Sequence, residues 1–264
     1  MGIAMLRVAL AAGLILVAAF QLGSFASADD TQSKTLTGQR LALNLACPAE
    51  VDIEPDADLA GKIEVEARAD GQEALDALRY SEGETVRIEH KEGCGALDVL
   101  DHGLQLTIRV PKFTPIEIAG NSAVQYEIGD TRGPLKMTTS GAADLHVERI
   151  TALDLDSAGA ADIKIDRLDG PGVVSLKGGG EFTISDGAMP SLHLESRGAG
   201  DVRVEDGQIG LLDVSIAGAG NAEIHAPVQD ANLEIVGLGN IEVEKVTGKV
   251  NRKILGVGNI EVGS

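Results

Sequence analysis

The chain has no tryptophan, two tyrosines and four phenylalanines in 264 residues. Large aromatic side chains normally supply much of a globular core's buried area. Without them the interior must be filled by Val, Ile, Leu and Ala, as thin stacked sheets allow. Positive charge is also scarce: 22 Lys+Arg stand against 41 Asp+Glu, for a net charge of −19. So acidic a chain has no general basic surface for nucleic acid. It repels other polyanions and favours solubility and association with cations. No Gly-x-Ser-x-Gly elbow, Walker loop or His-Glu-x-x-His motif occurs, which removes the common sequence signatures of hydrolases, nucleotide-binding enzymes and zinc proteases.

Long apolar runs are confined to the N-terminus. Arg7 precedes an almost unbroken apolar run from Val8 to Phe20, and Ala26-Ser27-Ala28 forms a small-residue cleavage site before Asp29. Residues 1–28 therefore read as a secretory signal peptide, with an uncleaved anchor as the alternative. The run is short for a membrane span, and no cysteine follows it closely enough for a lipoprotein anchor. The reading predicts an exported chain, periplasmic or secreted to the cell surface, with no transmembrane segment once the signal is removed. Losing Arg7 takes the charge from −19 to −20, since the first 28 residues hold no acid. The only cysteines are Cys47 and Cys94. An even pair in an oxidising compartment reads as a disulfide, the alternative being two free thiols.

What is abundant is glycine, 33 residues, and it is periodic. Gly141-Ala-Ala-Asp144-Leu-His-Val147 recurs as Gly159-Ala-Ala-Asp162-Ile-Lys-Ile165, Gly178-Gly-Gly-Glu181-Phe-Thr-Ile184 and Gly198-Ala-Gly-Asp201-Val-Arg-Val204. It continues as Gly218-Ala-Gly-Asn221-Ala-Glu-Ile224, Gly237-Leu-Gly-Asn240-Ile-Glu-Val243 and Gly256-Val-Gly-Asn259-Ile-Glu-Val262. The spacing is 18 to 20 residues, and a degenerate first copy starts at Gly120. Apolar residues alternate with polar ones on both sides of each glycine, the mark of strands with one buried face. A lone apolar residue per unit (Ile150, Leu168, Met189, Ile209, Val228, Val246) marks a short third side. Units this short cannot fold alone. Stacked at strand spacing, they share one interior and align like residues in columns.

The fold class expected is all-β: a parallel β-solenoid of about eight coils with a roughly 19-residue repeat. A stack of antiparallel hairpins is the alternative. The domain reading is 1–28 signal peptide, 29–113 β-rich cap or divergent opening coils, and 114–264 solenoid repeats. In the N-terminal third, strands are expected at 40–46, 62–67, 85–90 and 104–110, with a short helix near Glu73–Leu78. The corner glycines are expected to serve positive φ and close approach between coils.

Three features together resemble the head GIN domain family, a bacterial group described as auto-transporter adhesins. They are the G-x-G-[DN]-[IV]-x-[IV] units, the lead-in Leu106-Thr-Ile-Arg-Val-Pro-Lys-Phe-Thr-Pro-Ile-Glu-Ile118, and Lys62-Ile-Glu-Val-Glu66 before the short helix. The first copy departs from the pattern at Ser122 and Ala123. The resemblance implies an exported β-solenoid and no defined reaction.

The candidate site residues fall in columns. The corner column Asp144, Asp162, Glu181, Asp201, Asn221, Asn240 and Asn259 reads as turn-capping residues, with weak Ca²⁺ association as the competing reading. Outward on the second strand, Glu223, Glu242 and Glu261 form an acidic stripe that could face a basic partner or simply be solvated. The five histidines show no metal-ligand spacing and read as surface residues. No cofactor or catalytic residue is assigned. Arg252 occupies an otherwise inward column, as fraying or as a charge that blocks edge-to-edge growth. The last coil carries no cap of its own in this sequence, which makes it a candidate contact surface, including for self-association. The functional expectation is a non-catalytic, adhesin-like envelope protein with an unidentified protein or glycan partner. A polysaccharide lyase-like solenoid and a calcium-stabilised module are the alternatives.

Overall fold

The computed structural model describes residues 30–90 and 103–263. The N-terminal third forms β1 (Asp30–Thr37), β2 (Arg40–Leu45), β3 (Ala49–Pro55), β4 (Lys62–Ala69), α1 (Gln72–Asp76), β5 (Leu78–Ser81), β6 (Thr85–His90) and β7 (Leu104–Val110). Next come β8 (Ile116–Gly120), β9 (Val124–Asp130), β10 (Pro134–Thr139), β11 (Ala143–Ile150), β12 (Ala152–Ser157), β13 (Ala161–Leu168) and β14 (Gly172–Leu176). The long β15 (Glu181–Ser196) serves both sheets. It is followed by β16 (Asp201–Val204), β17 (Gln208–Ile216), β18 (Asn221–Ile224), β19 (Val228–Ile235), β20 (Leu238–Val243), β21 (Val250–Ile254) and β22 (Val257–Val262).

The repeats wind into a parallel β-solenoid of about eight turns. One sheet, A, stacks β9, β11, β13, the first half of β15, β16, β18, β20 and β22, all parallel. The other, B, stacks β8, β10, β12, β14, the second half of β15, β17, β19 and β21 in the same way. Uniformly parallel pairing between units one repeat apart rules out the hairpin stack.

Register explains the alternation in the sequence. One inward column of sheet B runs Ile88, Leu43, Ile118, Met137, Leu155, Val174, Leu194, Val214, Leu233. All nine are buried. The third-side residues Ile150, Leu168, Met189, Ile209, Val228 and Val246 are buried as well. In sheet A Phe182 is fully buried between Ile163 and Val202, and Ala222 follows in the same column. A bulky side chain followed by small ones keeps the column's volume filled.

Glycine at the corner is required by crowding. A Cβ on Gly159 would lie 1.8 Å from the carbonyl oxygen of Gly141, and one on Gly178 would lie 1.8 Å from that of Gly159. Of the corner glycines, Gly180 takes the anticipated positive φ and the leading ones do not. Among described glycines it occurs at Gly61, Gly71, Gly83, Gly180, Gly187 and Gly207, so backbone-to-backbone approach fixes the leading position. The short helix is present as α1, with Leu75 buried against the core.

Spatial order departs from chain order in the N-terminal third. β2 lies between β6 and β8 in sheet B, and β3 lies between β7 and β9 in sheet A. The coil made by β2 and β3 is thus intercalated between the coil of β6 and β7 and the coil of β8 and β9. The chain passes that level at 111–115, where Leu41 N–H donates to the Pro115 carbonyl and Asp56 N–H to that of Val110. Beyond β7 the order reverses in direction: β4 pairs antiparallel with β7, and β1 antiparallel with β4. β5 pairs antiparallel with β6. Residues on both sides of position 113 share one core. Cys47 sits buried between β2 and β3 and is not free. Cys94 lies outside the described residues.

Candidate functional site

The corner column is brought into register: Asp144 opposite Asp162, Glu181 opposite Asp201, Asn221 opposite Asn240, and Asn240 opposite Asn259. Its side chains bond from coil to coil. Asp162 Oδ1 accepts from Glu181 N–H at 3.1 Å. Asp201 Oδ1 accepts from both the backbone N–H and the side-chain amide of Asn221, at 2.9 and 3.0 Å. Asn221 Oδ1 accepts from Asn240 Nδ2 at 3.2 Å. The last rung differs, since Asn259 Nδ2 turns to Glu261 instead, 2.7 Å away. These bonds satisfy amides that the glycine corner leaves unpaired. Among the described residues, no three His, Cys, Asp or Glu side chains come together as a metal site.

The outer face of sheet A carries a second column in unbroken register: Asp52, Glu127, His146, Lys164, Thr183, Arg203, Glu223, Glu242, Glu261. Acid occupies both ends and cations the middle. Arg203 pairs with Glu223 at 2.9 Å. Glu242 and Glu261 follow as directly opposed like charges, an unfavourable arrangement on a sheet. At the other end partial burial and the neighbouring Glu50, Glu127 and Glu54 raise the Asp52 carboxyl above its ordinary range.

His146 bridges two carboxylates on this face. Its Nδ1 lies 2.8 Å from Glu127 Oε2 and its Nε2 lies 3.0 Å from Asp166 Oδ2. Partial burial works against the charged ring, but the hydrogen bonds to Asp166 and Glu127 outweigh it and raise its pKa above the ordinary imidazole value. Lys164 also reaches Asp166, at 3.3 Å. A plain surface assignment missed this bridge. Aligning the columns reveals it: Glu127 is the register neighbour of His146, and Asp166 lies one coil on and two residues along. An open cleft of about 440 Å³ covers this region, walled by Asp144, His146, Asp162, Lys164 and Glu181.

On the third side a further charge ladder was not foreseen. Asp169 accepts from Arg149 Nε at 2.8 Å and from Arg167 Nε at 3.0 Å, and Arg167 also pairs with Asp186. Arg149 and Arg167 are register neighbours, so Asp169 neutralises two adjacent like charges. Burial opposes ionisation of Asp169, but its bonds to Arg167 and Arg149 hold the carboxyl below its ordinary range.

Sheet B offers a groove of about 330 Å³ where its strands begin, lined by Pro115, Pro134, Leu153, Pro171 and Val173. At the last coil, Arg252 sits opposite Leu233 but is exposed, and Ile254, Leu255 and Val257 are exposed with it. No helix of the described residues is long and apolar enough to cross a membrane.

A family model described as "Putative auto-transporter adhesin, head GIN domain" matches residues 47–243. Several solved structures share the fold. One is a putative lipid binding protein from Parabacteroides distasonis ATCC 8503, with TM-score 0.62, 17% identity, and 89% of this chain and 97% of that chain covered. A putative adhesin from Bacteroides fragilis NCTC 9343 gives TM-score 0.54 at 14% identity, covering 89% and 98%. A putative adhesin from Parabacteroides merdae ATCC 43184 gives TM-score 0.55 at 17% identity, covering 89% and 96%. No curated protein matches the chain.

Proposed function

The chain belongs to the head GIN domain family, and from that premise we propose that it is an exported, adhesin-like, non-catalytic interaction protein whose recognition surface is the outer face of sheet A. The observation that carries this reading is the stack Glu223, Glu242, Glu261. Glu223 is paired with Arg203, while Glu242 stands opposite both Glu223 and Glu261 at strand spacing. Such a stack costs stability in the free protein, and a cationic partner relieves that cost on binding. The rigid sheet presents the charges without further ordering, which favours affinity. The partner is then a basic segment of an envelope protein or a basic glycan.

The test is a surface-binding assay of the exported form against panels of basic and acidic proteins and glycans, run beside a Glu223→Gln, Glu242→Gln, Glu261→Gln variant. The variant is expected to melt higher and to lose binding to the basic members. Equal binding by the variant, or release of unsaturated sugars from any glycan, overturns the reading. The second outcome would favour a lyase acting in the His146 cleft, where Lys164 and several carboxylates converge. We further read Cys47 and Cys94 as a disulfide that fixes the intercalated coil.

A further inference from the structure

The final coil is chemically unlike the rest of the protein. Between positions 244 and 263 there are four cations, Lys245, Lys249, Arg252 and Lys253, against two acids, Glu244 and Glu261. The whole chain carries a net charge of −19. The same coil holds the largest cluster of exposed apolar side chains. Val257 is 74% exposed, Leu255 58% and Ile254 45%. Leu238 and Val236, one coil earlier at the same corner, are exposed too. Leu238 and Val257 are register partners, and so are Ile235 and Ile254. The apolar corner is therefore contiguous across two coils and is flanked by Arg252 and by Lys253, the latter paired with Glu234 of the preceding coil at 2.5 Å. At the equivalent corner positions earlier coils carry Ala142, Ala160, Gly179, Ala199 and Ala219. Leu and Val take that position only in the last two coils.

We propose that this end of the solenoid is a docking tip for an anionic lipid surface. Apolar side chains ringed by Lys and Arg suit the boundary between headgroups and acyl chains, where the cations meet lipid phosphates. The acidic body is repelled by the same surface, so the protein stands on its end with the last coil down. Charge decides against the rival occupant, a second copy. A two-fold contact of this end with itself brings together two surfaces of the same net positive sign. Arg252 in the inward column would also be buried unpaired by such stacking, which disfavours it. This inference does not depend on the sheet A reading, which concerns the opposite charge on a different face.

The test uses the chain from Asp29 onward, which carries every described element, with vesicles of phosphatidylcholine alone or containing phosphatidylglycerol. Cosedimentation is expected only with the anionic vesicles and is expected to weaken in high salt. Each basic residue near such a surface contributes about a fivefold gain in partition. Neutralisation by Lys249→Gln, Arg252→Gln and Lys253→Gln should therefore lower partition on the order of a hundredfold, and reversal of the three to Glu should lower it further. Leu255→Ser with Val257→Ser should lower it at unchanged melting temperature, and Lys164→Glu on sheet A should not change it. Equal binding to neutral vesicles, binding unaffected by the reversal, or no binding at all overturns the proposal. So does sedimentation as a dimer that Leu255→Asp dissociates, since that would assign the tip to a second copy. Loss of the basic-partner binding in the Glu223, Glu242, Glu261 variant with vesicle binding intact separates this inference from the proposed function.

Discussion

The carbonyl oxygen of Gly178 lies 1.7 Å from the point a Cβ on Gly198 would occupy. The obstructing atom is backbone of the preceding coil, so no side chain can yield. Gly198→Ala must separate two stacked coils, and overpacking of this kind costs about 3 kcal/mol or more. Gly179, one residue further along the same corner, has nothing within 4 Å and no positive φ. Gly179→Ala should be neutral or stabilise by roughly 0.5 kcal/mol through the unfolded state. Chemical denaturation of both variants checks the pair. Equal stabilities would sink the crowding argument.

His146 should titrate above the ordinary imidazole value of 6.5, because Asp166 and Glu127 hold its charged form against partial burial. A folded pKa raised above the unfolded one contributes stability that is complete below the unfolded pKa. That stability is lost as pH rises through the folded pKa. His146→Gln should therefore lower the melting temperature more at about pH 5.5 than at about pH 8.5. An NMR titration midpoint at or below 6.5 would contradict the bridge.

Asp52 carries the opposite sign of effect. Burial and its acidic neighbours raise its folded pKa, so its charged form is a cost that grows as pH rises through that value. Asp52→Asn should stabilise the protein at neutral pH by roughly 0.5 kcal/mol, the scale of one cross-strand like-charge pair. The gain should vanish at acidic pH, where the wild-type carboxyl is itself protonated. A loss of stability at neutral pH would show that Asp52 makes a favourable contact outweighing its repulsions.

The Cys47–Cys94 disulfide would close a loop of about 47 residues, for a contribution of about 4 kcal/mol. Unfolded protein without reductant should take up no alkylating agent, and reductant should lower the melting temperature of wild type but not of Cys47→Ala. Alkylation of both cysteines without reductant would show two free thiols.

The solenoid itself was legible because its physics is written at fixed spacing. Leu155, Val174, Leu194 and Val214 recur at 19 or 20 residues and stack as read. Corner residues such as Asp201 and Asn221 could be named as turn residues for the same reason. Contacts between columns were less legible. His146 joins Glu127 in its own column to Asp166 in the next, and Asp169 joins two arginines. Such bonds depend on side-chain reach across the sheet as well as on period. The order of the opening coils was not legible at all. β2 alternates as any half-buried strand does, and nothing in Arg40–Leu45 states that its neighbours will be β6 and β8. Partner choice over that separation is a tertiary outcome.

That intercalation predicts where the protein is most and least stable. The coil of β2 and β3 is hydrogen-bonded on both sides, by β6 and β7 on one and β8 and β9 on the other. It cannot open without separating the N-terminal cap from the repeats. At the far end β21 and β22 are each paired along one edge among the described residues. Exchange of backbone amides in 41–45 should therefore need global unfolding, while β21 and β22 exchange first by local opening. Leu43 is buried between Ile88 and Ile118, so Leu43→Ala should cost about 2–5 kcal/mol and lower a single cooperative transition. Ile254→Ala, at an exposed site, should cost little. If 41–45 exchanged as fast as the last coil, or if Leu43→Ala split the transition so that the repeats melted unchanged, the intercalated coil would not be the link that binds cap and solenoid into one unit.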